Sequence, residues 1–370
     1  WSGDLVNMEL SLRKKIALRL FSAKRKADAL SHELRYLFWE CTLRCNMACL
    51  HCGSDCMRDS ITPDMPLEDF LKVLDNISSR TNISRIVVAV TGGEPLLRQD
   101  LAEAGRQIIR RGFSWGMVTN GYLLSAEKME EMLCSGLRYL TISLDGLLED
   151  HEWLRGKSGS YKRACEAILL ASKARSRGLS FDVVTCVNQR NVRQLEKLKT
   201  RLVELGVTNW RLATIFPKGR AAENGELKLD GNQLRQLMDF IAATRKEGKV
   251  DAMYGCDSFL GGYEMEVRQT PFFCWAGVNI GSVLADGSIS ACPSLRADYI
   301  QGNIYKDDFM DVWNNRFQIM RNRKWLKQGM CTDCSMWNLC LGNGLHLRRE
   351  ADGKLLSCLF QEMTAASGCH

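Results

Sequence analysis

The chain has 370 residues, 45% of them hydrophobic and 25% charged, with a formal net charge of +7. That is the composition of a soluble globular protein, and no stretch approaches the roughly 18 uncharged apolar residues of a transmembrane helix. The positive balance is modest and no basic run is interleaved with aromatics, so nucleic acid is not an expected partner.

Residues 5–31 predict a helix. Leu5, Leu12, Ile16, Leu20, Ala27 and Leu30 recur at roughly helical spacing, with Arg13, Lys14, Lys15, Lys24, Arg25 and Lys26 elsewhere around it. The first 33 residues are too charged for the apolar core of a signal peptide. They are expected to form a solvated helix docked on the core, not a membrane-lying one, and are too short for a separate peptide-recognition domain.

The next stretch, Cys41 to Cys52, reads CTLRCNMACLHC. Cys45, Cys49 and Cys52 form CxxxCxxC, three thiolates that hold three corners of a cubane cluster and leave one iron open. A tetrahedral zinc site or an electron-transfer cluster wants a fourth cysteine; Cys41 or Cys56 could complete a zinc knuckle. The chain has sixteen cysteines, and eight fall between 41 and 56 or between 331 and 340. Such close spacing points to metal in a reduced, oxygen-poor cytoplasm rather than to disulfides.

From residue 35 to about 217, short apolar runs alternate with helical stretches. The runs are Tyr36–Trp39, Ile86–Val90, Trp115–Thr119, Tyr139–Leu144, Phe181–Val187 and Trp210–Phe216. The helices are Leu67–Ile77, Leu101–Arg111, Glu127–Cys134, Tyr161–Arg177 and Val192–Leu205, and four of them close on Gly112, Gly136, Gly178 and Gly206. This alternation predicts βαβ units and a parallel sheet. Six strands make an α/β fold of the partial (β/α)6, TIM-like barrel type, over residues 34–225, with its chemistry at the carboxyl ends of the strands.

Directly after the second run stands Thr91-Gly92-Gly93-Glu94-Pro95. Paired glycines let the backbone approach a ligand, and one carboxylate there can hold an ammonium group. CxxxCxxC after the first strand, with GGEP one βα unit later, resembles the radical S-adenosylmethionine (radical SAM) family. The resemblance implies a 4Fe–4S cluster on Cys45, Cys49 and Cys52 whose open iron chelates the amine and carboxylate of SAM. It implies Glu94, beside Gly92 and Gly93, as the amine ligand and His51 beside the adenine. Further strand ends carry Thr119-Asn120-Gly121, Ser143, Asp145 and Asn188; Asn120, Ser143, Asp145 and Asn188 correspond to positions touching the carboxylate and ribose of SAM. The main chain of Phe216–Arg220 would meet the adenine, and Arg211 and Arg220 would either bind a carboxylate or pair with an acid.

Residues 226–270 are expected to bridge, through a helix at Leu234–Ala243, to a cysteine-rich part over 271–370. There Asp286-Gly287 predicts a hairpin. Cys274, Cys292, Cys331, Cys334, Cys340 and Cys358 resemble the SPASM extension of radical SAM enzymes, which carries one or two auxiliary iron–sulfur clusters; a zinc ribbon is the alternative. By that resemblance Cys331, Cys334, Cys340 and Cys358 complete an outer cluster. The inner one has Cys274 and Cys292, helped by Cys256 at most, because Gly344 stands where the pattern has a further cysteine. A twitch-type cluster on Cys274, Cys292, Cys331 and Cys334 is the rival assignment. The layout also resembles the anaerobic sulfatase-maturing enzymes, but Pro293 replaces their aspartate base.

The activity implied is reductive cleavage of SAM to a 5′-deoxyadenosyl radical, with an external low-potential donor of flavodoxin or ferredoxin type, acting on a peptide or protein. The alternatives are tailoring of a small molecule or tetrapyrrole and, from another class, a non-catalytic zinc or iron–sulfur scaffold or electron carrier.

Overall fold

Strand β1 (Tyr36–Thr42) lies at the heart of the computed structural model, which describes residues 11–255 and 258–366. Leu37, Trp39 and Cys41 on it are fully buried. The Trp39 ring stacks on Phe70 of α2 (Leu67–Arg80) with centroids 4.2 Å apart. From β1 the sheet runs in chain order through β2 (Val87–Gly92), β3 (Ser114–Thr119), β4 (Leu137–Ser143), β5 (Ser180–Val187) and β6 (Asn209–Thr214), each parallel to the last. The connecting helices are α2, α3 (Leu101–Arg110), α4 (Ala126–Cys134), α5 (Leu148–Arg155) with α6 (Ser160–Ala174), and α7 (Leu195–Glu204). The four glycines read as helix stops all have left-handed φ, from 78° to 89°. Strands buried on both faces and linked by helices are what a parallel α/β sheet requires.

The sheet does not stop at six strands. After α8 (Gly231–Glu247), β7 (Asp251–Tyr254) adds in parallel to β6. The segment expected as a bridge therefore extends the barrel. On the other side of β1, β8 (Ile280–Val283) pairs with it in parallel. β9 (Ser288–Ser290) folds back on β8 through the Asp286-Gly287 turn, and β10 (Gly302–Asn303) follows. The order is β10-β9-β8-β1-β2-β3-β4-β5-β6-β7, so the cysteine-rich part grows from the barrel's own edge. Glu40 of β1, fully buried, fastens this junction: it accepts from the Ala285 N–H at 3.1 Å and from Arg296.

Helix α1 spans Leu12–Ser31; Leu5 lies outside the described residues. The helix docks on the core as expected, but not by the expected face. Leu12, Ile16, Leu20 and Leu30 are 50–82% exposed. Leu18 and Arg25 are the residues buried, and Phe21 meets Trp275 edge-on. The Arg25 guanidinium donates to the carbonyls of Asn338 and Leu339, and Lys14 reaches Gly262 O at 2.7 Å. Polar anchors at the ends of long basic stems, not the leucine stripe, select the docking face. Among the described residues no helix is long and apolar enough to cross a membrane.

Candidate active site

The loop leaving β1 carries Cys45, Cys49 and Cys52, which line one cavity of about 300 Å³. Its other walls are the carboxyl ends of β2 (Thr91, Gly92, Gly93), β3 (Thr119, Asn120) and β4 (Ser143), with Arg155, Phe216 and the pair Pro293-Ser294. A wider groove of about 590 Å³ starts at Cys45 and runs outward past Met57, Arg58, Gly156 and Lys157.

The loop is pinned from several sides. Cys45 N–H donates to Met57 O at 2.8 Å. Arg220 donates through Nε to Cys49 O at 2.8 Å and through Nη1 to Cys56 O and Asp55 at 3.1 and 2.8 Å. Arg220 thus clamps the loop, while Arg211 pairs with Asp182 at 2.8 Å. The main chain after β6 meets the loop itself, with the Arg220 N–H 3.2 Å from Cys52 O. Gly93 and Glu94 donate their N–H groups to Thr42 O and Arg44 O at 2.7 and 2.9 Å. A Cβ on Gly92 or Gly93 would lie 2.2 Å from Thr42 O or 2.1 Å from Arg44 O. The glycine pair is thus required by the crossing of the β2 end over the cysteine loop.

Cys41 takes no part: it is fully buried in the core below the loop, where burial raises its thiol pKa sharply. Cys56 is beside the triad. Its N–H lies 3.3 Å from Cys52 Sγ, and its thiol bonds to the same sulfur, holding Cys52 below the ordinary thiol range. Burial pushes Cys45 up to about 11 and also raises Cys49. Cys45 and Cys49 therefore ionise readily only with metal to compensate them, while Cys52 is already poised as a thiolate, and the donor set fits an iron–sulfur cluster.

Glu94 is fully buried. Oε1 accepts from Thr119 Oγ1 at 2.7 Å and Leu96 N at 3.2 Å, and Oε2 from Asn120 N at 2.8 Å. A carboxylate offers about four acceptor positions, so this one keeps capacity for one more donor. Burial raises its pKa despite those bonds. Asn120 Nδ2 reaches Asn46 in the cysteine loop at 2.7 Å. His51 lines the cavity; burial lowers its pKa to about 4, leaving it neutral. Asn188 follows β5 and is fully buried, and its Oδ1 accepts from Arg190 N and Asn191 N at 2.9 and 3.2 Å. His51 Nδ1, Asn46 Nδ2 and Asn188 Nδ2 are buried without a hydrogen-bond partner among the described residues. Orphaned donors and acceptors of this kind fit a polar ligand.

Asp145 is placed behind the cavity, not in its wall. It accepts from Cys186 N at 2.9 Å and pairs with Arg155 at 2.6 Å. Burial is the largest influence and opposes its ionisation, but Arg155, His51, His151 and the Cys186 N–H together outweigh it and lower the pKa. Arg155 also reaches Cys49 Sγ at 3.7 Å. Neither Arg155 nor its helix α5 was expected from sequence, although Gly156 closes that helix in the left-handed form used by the other four.

In the carboxyl-terminal part, Cys340 lies within electrostatic reach of Cys358 and Cys331, and Cys358 of Cys331 and Cys334. Arg348 donates to Cys331 Sγ at 3.4 Å and Asn343 N to Cys340 Sγ at 3.2 Å. Cys274 and Cys292 neighbour each other instead. These neighbours group the thiols four and two. Cys256 lies outside the described residues. None of the fourteen cysteines described forms a disulfide.

With this geometry in view, comparison with known proteins gives a consistent answer. Residues 39–202 match the radical SAM superfamily, and residues 274–335 match the SPASM iron–sulfur cluster-binding domain. The chain is a radical SAM enzyme with a SPASM domain, and its cofactors are S-adenosylmethionine and iron–sulfur clusters. It is 26% identical over 332 residues to the AdoMet-dependent heme synthase of Methanosarcina barkeri, covering 85% of this chain and 92% of that protein. It is 29% identical over 314 residues to the mycofactocin maturase MftC of Mycolicibacterium smegmatis, covering 83% and 76%. In structure it resembles SuiB of Streptococcus suis bound to S-adenosylmethionine, with TM-score 0.67 and 18% identity over 92% of this chain and 81% of that one.

Proposed function

We propose that the enzyme modifies a peptide or protein by hydrogen abstraction, with Cys45, Cys49 and Cys52 holding the catalytic cluster. Bound there, the cluster and SAM supply reductive cleavage of the sulfonium and a 5′-deoxyadenosyl radical. Around them the chain positions and shields. Glu94 offers its remaining acceptor position to the methionyl ammonium, between Gly92-Gly93 and Asn120. Ser143 and Asn188 supply polar contacts along the rim, His51 a neutral ring beside the base, and Asp145 acts through Arg155. The observation that carries the reading is the shared cavity: the triad, three strand ends and Pro293-Ser294 of the SPASM side enclose one space, from which the groove at Cys45 leads outward as a path for an extended chain. Pro293 puts an apolar ring where a sulfatase-maturing enzyme has its base, which argues against seryl or cysteinyl oxidation by that route. The reduced thiols suit the cytoplasm, where a flavodoxin or ferredoxin would deliver the electron.

A tetrapyrrole substrate is the second reading, supported by the match along 92% of a heme synthase and by Arg58 and Lys157 in the groove, which can pair with carboxylates. The test is anaerobic. Protein reconstituted with iron and sulfide receives dithionite and SAM, and 5′-deoxyadenosine is quantified with short peptides or an iron porphyrin added. Stimulation by peptide supports the first reading and by porphyrin alone the second; zinc-loaded protein without turnover would overturn both.

A further inference from the structure

The SPASM pattern has a cysteine where this chain has Gly344, yet the segment that follows still wraps the inner thiol pair. The backbone N–H of Leu345 and the His346 ring both lie within electrostatic reach of the Cys274 sulfur. Cys292 is the neighbouring thiol. His346 is only 9% exposed, on the short turn Leu345–Leu347. Arg323 donates to the Cys274 carbonyl and, at 3.4 Å, to Asn343 O, bringing a buried positive charge to the site. A second observation is independent of these groups. Tyr299 is 1% exposed and near Cys274, and its hydroxyl has no hydrogen-bond partner among the described residues. A buried hydroxyl left unsatisfied is costly, and a sulfide acceptor beside Cys274 would satisfy it.

We propose that an inner auxiliary iron–sulfur cluster is ligated by Cys274, Cys292 and His346, the imidazole replacing the thiolate absent at Gly344. Imidazole ligation of a cluster iron is established chemistry and raises the reduction potential above that of an all-thiolate cluster. The site borders the catalytic cavity on two sides. Pro293 and Ser294, next after Cys292, line that cavity, and His346 meets its wall residue Phe216 edge-on at 4.9 Å.

The test uses the full chain carrying Cys45→Ala, Cys49→Ala and Cys52→Ala, so that only auxiliary clusters contribute and no result depends on SAM cleavage or on the substrate. After anaerobic reconstitution, iron is counted, the potentials are titrated, and reduced protein labelled with ¹⁵N-histidine is studied by pulsed EPR. The expected result is a strongly coupled histidine nitrogen on one cluster. His346→Cys keeps the iron, loses the coupling and shifts that potential more negative; His346→Ala and Cys274→Ala each lose one cluster's iron while the signal of the cluster on Cys331, Cys334, Cys340 and Cys358 persists. Absence of nitrogen coupling, or an unchanged iron count in His346→Ala or Cys274→Ala, would overturn the assignment.

Discussion

Arg155 joins the Asp145 carboxylate to the Cys49 sulfur: its Nε donates to Asp145 Oδ2 at 2.6 Å and its Nη1 to Cys49 Sγ at 3.7 Å. A buried cation that donates to a ligand sulfur stabilises the electron-rich state of whatever iron that sulfur binds. Arg155→Met should make the catalytic cluster harder to reduce and slow SAM cleavage by about tenfold or more, read as a more negative midpoint in an EPR-monitored titration. It also strands Asp145, at about 3–5 kcal/mol for a broken buried pair, so the double variant Arg155→Met/Asp145→Asn should recover stability but not the potential.

In the proposed function Glu94 accepts from the SAM ammonium. Glu94→Gln keeps the shape but replaces one oxygen by a donor facing Thr119 or Asn120. A charge-assisted hydrogen bond is worth about 1.5–3 kcal/mol, so Kd for SAM should rise by at least tenfold in calorimetry, with iron content unchanged.

Cysteine variants separate the ligands from their neighbours. Cys45→Ala, Cys49→Ala and Cys52→Ala should each abolish 5′-deoxyadenosine formation. Cys41→Ala should retain the full iron of the catalytic cluster, because that thiol faces the core. Cys56→Ser should also retain it while shifting the cluster potential, since the thiol and N–H at Cys52 act on a ligand sulfur rather than on iron.

Gly93→Ala should fail in a different way. Its Cβ would meet backbone oxygen at 2.1 Å, and a strand end cannot yield as a flexible side chain does. Overpacking of this kind costs about 1–3 kcal/mol, so a lowered denaturation midpoint together with poor cluster loading is expected.

His151 makes stability depend on pH. It is fully buried and its Nδ1 accepts from Asp145 N at 3.0 Å; burial lowers its pKa to about 4. The unfolded chain takes up a proton near pH 6.5 and the folded one does not, so the stability present above that value is lost as pH falls toward 4. Between pH 7 and 5 the loss from this group is about 1–2 kcal/mol. Urea denaturation at the two pH values should show it, and His151→Gln should flatten the difference.

Wherever a chemical requirement maps onto nearby positions, the sequence alone was enough. The CxxxCxxC triad, GGEP, the six alternating strands with their glycine stops and the Asp286-Gly287 hairpin all rest on spacing within one or two elements, where backbone geometry is local. The α5 helix and β7 carry the same glycine signal, at Gly156 and Gly248, but are too short for periodicity to mark them. Other features depend on which distant segments meet, which no local pattern encodes. They include the pairing of β8 with β1, the face on which α1 docks, the recruitment of Arg155 to Cys49, and the sorting of six auxiliary cysteines into a four and a two. Packing decided each of these, because burial and charge pairing reward contacts between residues far apart in the chain. It also placed Asp145 behind the cavity and brought His346 to Cys274, beside a gap in the cysteine pattern that the sequence showed but could not fill.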